Sequence, residues 1–228
     1  QSSPFVSSLD GGGFVVSWTS GSNNAASIHG QVYNSAGTAV GSEFTVATGE
    51  NSTIAALANG GFVVTYVSTD GDTGGTFFQL YTANGTAFGS PQLVNTTTVS
   101  QQQGNSVAGT PDGGFIASWH SYGQDAANTW GVYFQRFDAN GNKIGGEVPA
   151  NSTVAGDQYG GELAVLKDGT FVISWFDTPT NSIVLRHFNA SGSPLGSEIS
   201  IANATGDTVQ ALADGGYVVT YTANDATG

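Results

Sequence analysis

Phe14-Val15-Val16-Ser17-Trp18 decides how this chain is read, because it returns as Phe62 to Tyr66, Phe115 to Trp119, Phe171 to Trp175 and Tyr217 to Tyr221. The leading aromatics are 48, 53, 56 and 46 residues apart. Echoes of that period mark supersecondary units that bury their faces only against neighbouring units. Within the motif, alternation puts Phe14, Val16 and Trp18 on one side of a strand and Val15 and Ser17 on the other. Both sides are apolar or small, so the strand belongs to a sheet covered on both faces.

Working outward, each motif is preceded by a turn signal: Asp10-Gly11, Asn59-Gly60, Asp112-Gly113, Asp168-Gly169 and Asp214-Gly215. Such pairs tolerate positive φ and join two strands in a tight hairpin. A second turn follows an aromatic strand end (Tyr33, Tyr81, Phe137, Phe188) and carries paired glycines: Gly37 with Gly41, Gly85 with Gly89, Gly141 with Gly145, and Gly192 with Gly196. In the second unit the four strands are expected at 53–57, 62–67, 76–81 and 92–95. Four strands per unit of about 50 residues is the arithmetic of a propeller blade.

The expected fold is therefore all-β, a β-propeller or propeller-like array of four-stranded antiparallel units with about four and a half repeats. The units fall near 1–49, 50–97, 98–153 and 154–204, with a partial unit at 205–228, and together they make a single repeat domain. A β-sandwich pair and a β-solenoid are the alternatives.

Composition narrows the partners. Of 228 residues, 17 are acidic and 4 are Lys or Arg, for a formal charge of −13. Four cations cannot neutralise a run of phosphates, so nucleic acid is not an expected partner, nor is an anionic membrane surface. No apolar stretch approaches the roughly 20 residues of a membrane span, so membrane insertion is not expected. There is no cysteine, which removes disulfides and thiolate metal sites. The lack of an initiating Met and the half-length final unit suggest a mature or trimmed piece of something longer.

The hairpin pattern DGGFVVSW followed by Q-x-Y-x-x-x-G-x-x-x-G-x-E-F, clearest from Leu9 to Trp18 and from Gln31 to Phe44, resembles the tandem repeats of large bacterial proteins exported by type I secretion. In those proteins it accompanies hemolysin-type calcium-binding (RTX) segments. The resemblance implies a secreted, extracellular or cell-surface location. The calcium nonapeptide GGxGxDxxx in series does not occur in this sequence.

Candidate chemistry lies in the loops. Hard cations take clustered oxygens, and the loop after the second strand carries Asp70-Gly71-Asp72, Asp125 with Asn128, Asp177 with Asn181, and Asp225. Asp70, Asp72, Asp125 and Asp177 are thus candidate calcium ligands, although no cofactor is required and turn capping accounts for the same residues. The third unit has the longest insertion. Its Tyr122 and Trp130, beside His120 and Arg136, could stack on and orient a sugar ring, while Trp119 aligns with Trp18 and Trp175 and reads as core. Glu43, Glu147 and Glu198 occupy equivalent places in three units and read as scaffold.

The functional expectation is a non-enzymatic extracellular structural or adhesive module of a larger secreted or surface assembly. It would meet a protein partner, or itself, through the C-terminal partial repeat, whose hairpin leaves an unpaired edge. A carbohydrate-binding propeller is the first alternative and a propeller glycoside hydrolase the second.

Overall fold

A computed structural model describes residues 1–21 and 26–223. Asn23, Asn24 and Asp225 lie outside them. The first sheet has strands β1 (Ser2–Ser8), β2 (Phe14–Ser20), β3 (Ser27–Tyr33) and β4 (Ala39–Thr48). The second has β5 (Glu50–Ala56), β6 (Phe62–Ser68), β7 (Gly75–Tyr81) and β8 (Ala87–Leu93). The third has β9 (Gln102–Gly109), β10 (Phe115–Tyr122), β11 (Trp130–Phe137) and β12 (Lys143–Pro149). The fourth has β13 (Gln158–Val165), β14 (Phe171–Asp177), β15 (Ser182–Phe188) and β16 (Ile199–Ala202), and β17 (Ala204–Ala211) pairs with β18 (Tyr217–Ala223) alone. Each sheet is an antiparallel meander in chain order.

The first strands of successive sheets lie side by side, β1 with β5, β5 with β9, β9 with β13 and β13 with β17. With every meander running outward from its first strand, the sheets are blades around an axis, and the fold is a β-propeller. The sandwich and solenoid alternatives fall away.

The blades hold together through the two faces of the repeated motif. Phe62, Val64 and Tyr66 pack back onto Val15, Ile28 and Val32 of the first blade, while Val63 faces forward with Phe78 onto Phe115, Ala117 and Trp119 of the third. The junction repeats with Ile116, Val132 and Phe134 against Phe171, Ile173 and Trp175. The final hairpin joins by Val209, Tyr217 and Val219 against Ala164, Val172 and Leu185.

The motif's hydroxyl makes a second contact across each junction. Ser17 Oγ lies 2.9 Å from Ser52 Oγ, Thr65 Oγ1 donates to Asn105 Oδ1 at 3.5 Å, Ser118 Oγ donates to the Gly161 carbonyl, and Ser174 Oγ donates to the Asp207 carboxylate. All four donors' side chains are buried, so each requires an acceptor. The acceptors sit at an irregularity in the next blade's first strand. Register breaks fall between Ser2 and Phe5, Glu50 and Thr53, Gly160 and Glu162, and Thr205 and Thr208, and opposite Trp119–His120 in β9. A bulge turns the strand and re-aims its side chains.

Two details of the expected strands are corrected. The fourth strand of the second blade is Ala87–Leu93, not 92–95. It starts directly after the turn because only the first glycine of each pair serves the turn. Gly41, the second glycine of its pair, lies inside β4 at φ 70°, where its carbonyl, with those of Val32 and Val40, accepts from the Gln31 amide. Gln79 and Gln135 fill the same bulge in the next two blades.

Passage between blades is held by Asn95 and Asn151, both buried. Asn95 Oδ1 accepts from Thr76 N and its Nδ2 donates to Thr97 O and Gln102 Oε1; Asn151 repeats this with Val132, Thr153 and Gln158.

Trp175, 1% exposed at the third junction, tests the packing. Trp175→Ala is expected to lower unfolding free energy by about 3–5 kcal/mol in denaturant titration, against under about 1 kcal/mol for a solvent-facing strand.

Candidate functional site

Each blade presents its tight hairpins at one end and, at the other, the loops after its second strand together with the crossings to the next blade. At the crossing end β10 stops at Tyr122 and β11 starts at Trp130, facing each other in register. Their rings are 5.2 Å apart. The fourth blade adds Tyr159, 36% exposed, with its ring 6.0 Å from Trp130 and 5.7 Å from His120. His120 in turn lies 4.9 Å from Trp130, edge to face.

The shelf is braced from the fourth blade. Asp157 accepts the Trp130 amide at 3.1 Å on Oδ1 and the Tyr159 hydroxyl at 3.1 Å on Oδ2. Burial, and then the Asp157 carboxylate, raise the Tyr159 phenol, keeping it a hydrogen-bond donor. His120 passes over Gly104, where a Cβ would strike the imidazole ring. Burial holds the His120 pKa below its ordinary value, with the Gly160 carbonyl opposing, so the imidazole is neutral near pH 7. Tyr122 and Trp130 also line a groove of about 350 Å³ with Asp72, Thr73, Ser100 and Gln101. The surface thus sets flat aromatic rings beside hydroxyls, amides and a carboxylate.

Further along β13 the axis-lining strands bring two carboxyl groups together. Glu162 pairs in register with Ser174, which puts both side chains on the same face of the fourth blade, a few ångströms apart. Ser174 Oγ bonds Asp207 of the final hairpin. Glu162 and Asp207 therefore both neighbour Ser174 at the junction of β13 and β17, each half-buried. Burial, and secondarily the Asp207 charge, raise the Glu162 pKa.

Sequence reasoning singled out Tyr122, Trp130 and His120, which the fold gathers, and Arg136, which it does not. Arg136 lies near the opposite end of β11, where its guanidinium donates to Ser191 O at 3.1 Å and lines a pocket with Asp112 and Asp168. The strand's length separates it from Trp130. Tyr133 and Phe134, adjacent to the shelf in sequence, are buried core.

The candidate calcium ligands are dispersed. Asp70 Oδ1 accepts from Asp72 N, and Asp72 Oδ2 from Ser100 N. Asp125 accepts from Ala126 N and Asn151 Nδ2, and Asp177 from Gln158 Nε2 and Thr180 N. Among the described residues no three His, Cys, Asp or Glu side chains come close enough to share a metal ion.

Tyr159, Asp157, Glu162 and Asp207 were missed. For Glu162 and Asp207 individually, though not for their pairing, a signal was available: counted back from the hairpin residues Leu57, Thr110, Leu166 and Leu212, the bulge positions read Ser52-Thr53, Asn105-Ser106, Gly161-Glu162 and Asp207-Thr208. Acidic residues enter only in the last two units.

No protein-family description matches the chain, and no curated protein is similar to it in sequence. Solved structures do share the fold. A protein of unknown function from Dyadobacter fermentans superposes with a TM-score of 0.67 at 10% identity, covering 96% of this chain and 74% of its own. A thermostable family-43 glycoside hydrolase gives 0.55 at 13% identity over 96% and 82%. An α-L-arabinanase of Penicillium chrysogenum, solved with arabinobiose, gives 0.57 at 13% identity over 95% and 74%. At such identities the likeness establishes the propeller fold. It also overturns the expectation of a non-enzymatic structural or adhesive module: that reading took a repeated scaffold with repeat-equivalent acids to be free of chemistry, and named carbohydrate-cleaving enzymes carry the same scaffold. Among the described residues no helix is long and apolar enough to cross a membrane.

Two outcomes are expected in solution. Chelating divalent cations should leave the melting temperature unchanged, since the four loop carboxylates already have N–H partners; a bound ion would show as a chelator-induced drop. Glu162, with its folded pKa raised, contributes stability when protonated and loses it as pH rises through that pKa. Glu162→Gln should accordingly be more stable than wild type at pH 7 and flatten the fall in melting temperature as pH rises past the ordinary carboxylate range.

Proposed function

We propose that the protein is a carbohydrate-processing β-propeller of the glycoside hydrolase type, exported to the cell exterior as its resemblance to type I-secreted repeats implies. The observation that carries this is the placement of Glu162 and Asp207 on either side of Ser174 at one blade junction. Glycosidic cleavage uses two carboxyl groups about one bond, one protonated and one ionised. Glu162, whose pKa is raised by burial and then by its neighbour's charge, is the general acid, protonating the leaving oxygen. Asp207, accepting the Ser174 hydroxyl, is the partner carboxylate: it takes a proton from the water that bonds to the anomeric carbon as the bond to the leaving oxygen breaks. The shelf of Tyr122, Trp130 and Tyr159 holds a neighbouring sugar. The arabinanase and family-43 likenesses make arabinan and pentose glycosides the first substrates to try.

Reducing-sugar release from arabinan and xylan, and turnover of aryl α-L-arabinofuranosides and β-xylosides, test the reading. Glu162→Gln and Asp207→Asn should each lower kcat by roughly 100- to 10,000-fold with the far-ultraviolet spectrum unchanged. Trp130→Ala should raise KM. A second reading, a propeller that binds glycan without cleaving it, draws on the shelf alone; saturable polysaccharide binding lost in Trp130→Ala, with no turnover by wild type, would favour it.

A further inference from the structure

The hydroxyl contact described above recurs at four blade junctions, but its acceptors are not alike. Ser17 meets a hydroxyl, Thr65 a side-chain amide oxygen and Ser118 a backbone carbonyl. Only Ser174 meets a carboxylate. Ser174 is also the register partner of Glu162, so the one of these four hydroxyl bonds that ends on a carboxylate lies beside Glu162. A hydroxyl offers a single proton. Ser174 gives it to Asp207, and that directs the carboxylate toward the fourth blade, the side on which Glu162 stands.

We propose that Ser174 is a positioning residue for the carboxyl pair: the fourth blade junction uses the scaffold's own inter-blade hydroxyl to aim Asp207. The inference rests on the reading of Glu162 and Asp207 as the reactive pair. The bond fixes the rotamer of Asp207, whose β17 backbone at Gly206 has φ 59° and whose strand belongs to a two-stranded sheet. Neither feature orients the side chain by itself. Threonine is the motif residue at Thr65 and Thr220, so Ser174→Thr keeps the donor in a form the repeat already uses.

Three variants separate this role from plain stability. Ser174→Ala should lower kcat on the best arabinoside or xyloside at least ten-fold with KM within about two-fold, and Ser174→Thr should recover most of it. Ser118→Ala, which removes the equivalent hydroxyl at the third junction, should lower the melting temperature about as much as Ser174→Ala while leaving kcat near wild type. Equal kcat losses in Ser118→Ala and Ser174→Ala, or an unchanged kcat in Ser174→Ala, would overturn the proposal. A readout that needs no turnover is the Asp207 χ1 angle, from side-chain scalar couplings in labelled protein. One rotamer in wild type and Ser174→Thr, averaged in Ser174→Ala, is the expected result, and a single rotamer in all three overturns the proposal even if wild type cleaves nothing. Absence of turnover with the expected rotamers would remove the hydrolase reading and leave the orienting bond standing.

Discussion

Everything in this molecule depends on one packing arrangement, the aromatic face of each blade's second strand set against the hydroxyl-bearing face of the second strand in the blade before it. Phe62, Val64 and Tyr66 lie on Val15, and Phe171, Ile173 and Trp175 lie on Ile116. Neither face could be left wet, since each blade exposes apolar surface on both sides and has no core of its own. The motif's aromatics lie on one face and its Ser or Thr on the other, and neighbouring sheets approach closely enough to bury Trp119 and Trp175 almost completely. The second and third strands of the middle blades are buried at almost every position, which leaves little place for charge there.

That close approach creates a second demand. A serine or threonine on the small face is sealed from solvent, and leaving its hydroxyl without a partner would cost about 1–3 kcal/mol. The bulge in the next first strand answers it by offering a carbonyl, an amide, a hydroxyl or a carboxylate. The bulges that satisfy the scaffold also bend the strands lining the axis. Asp207 stands at one of these irregularities and Glu162 directly after another.

Function on such a scaffold resides in departures from the repeat. Glu147 and Glu198, which recur, tie blades together by accepting from Thr97 and Ser152 of the preceding unit. Glu162 and Asp207 have no acidic counterparts in the first three units. Tyr159 and Asp157 likewise belong to one blade, yet complete a shelf begun by the insertion in another.

The order of strands, the hairpin turns, the blade count and the two-faced packing were legible from Phe14-Val15-Val16-Ser17-Trp18 and its echoes, because periodicity of two and a repeat near fifty are properties of the chain itself. Tyr122, Trp130 and His120 were legible as a group because they flank one loop. Arg136 was misplaced with them: neighbours in sequence diverge along an extended strand by about 3.3 Å per residue, and six residues carry it to the other end of the blade. Glu162 with Asp207, and Tyr159 with Trp130, were beyond the sequence, being joined by the rotation from one blade to the next. How blades stand around an axis is set by the fit of their faces, and that fit exists only once the chain has folded.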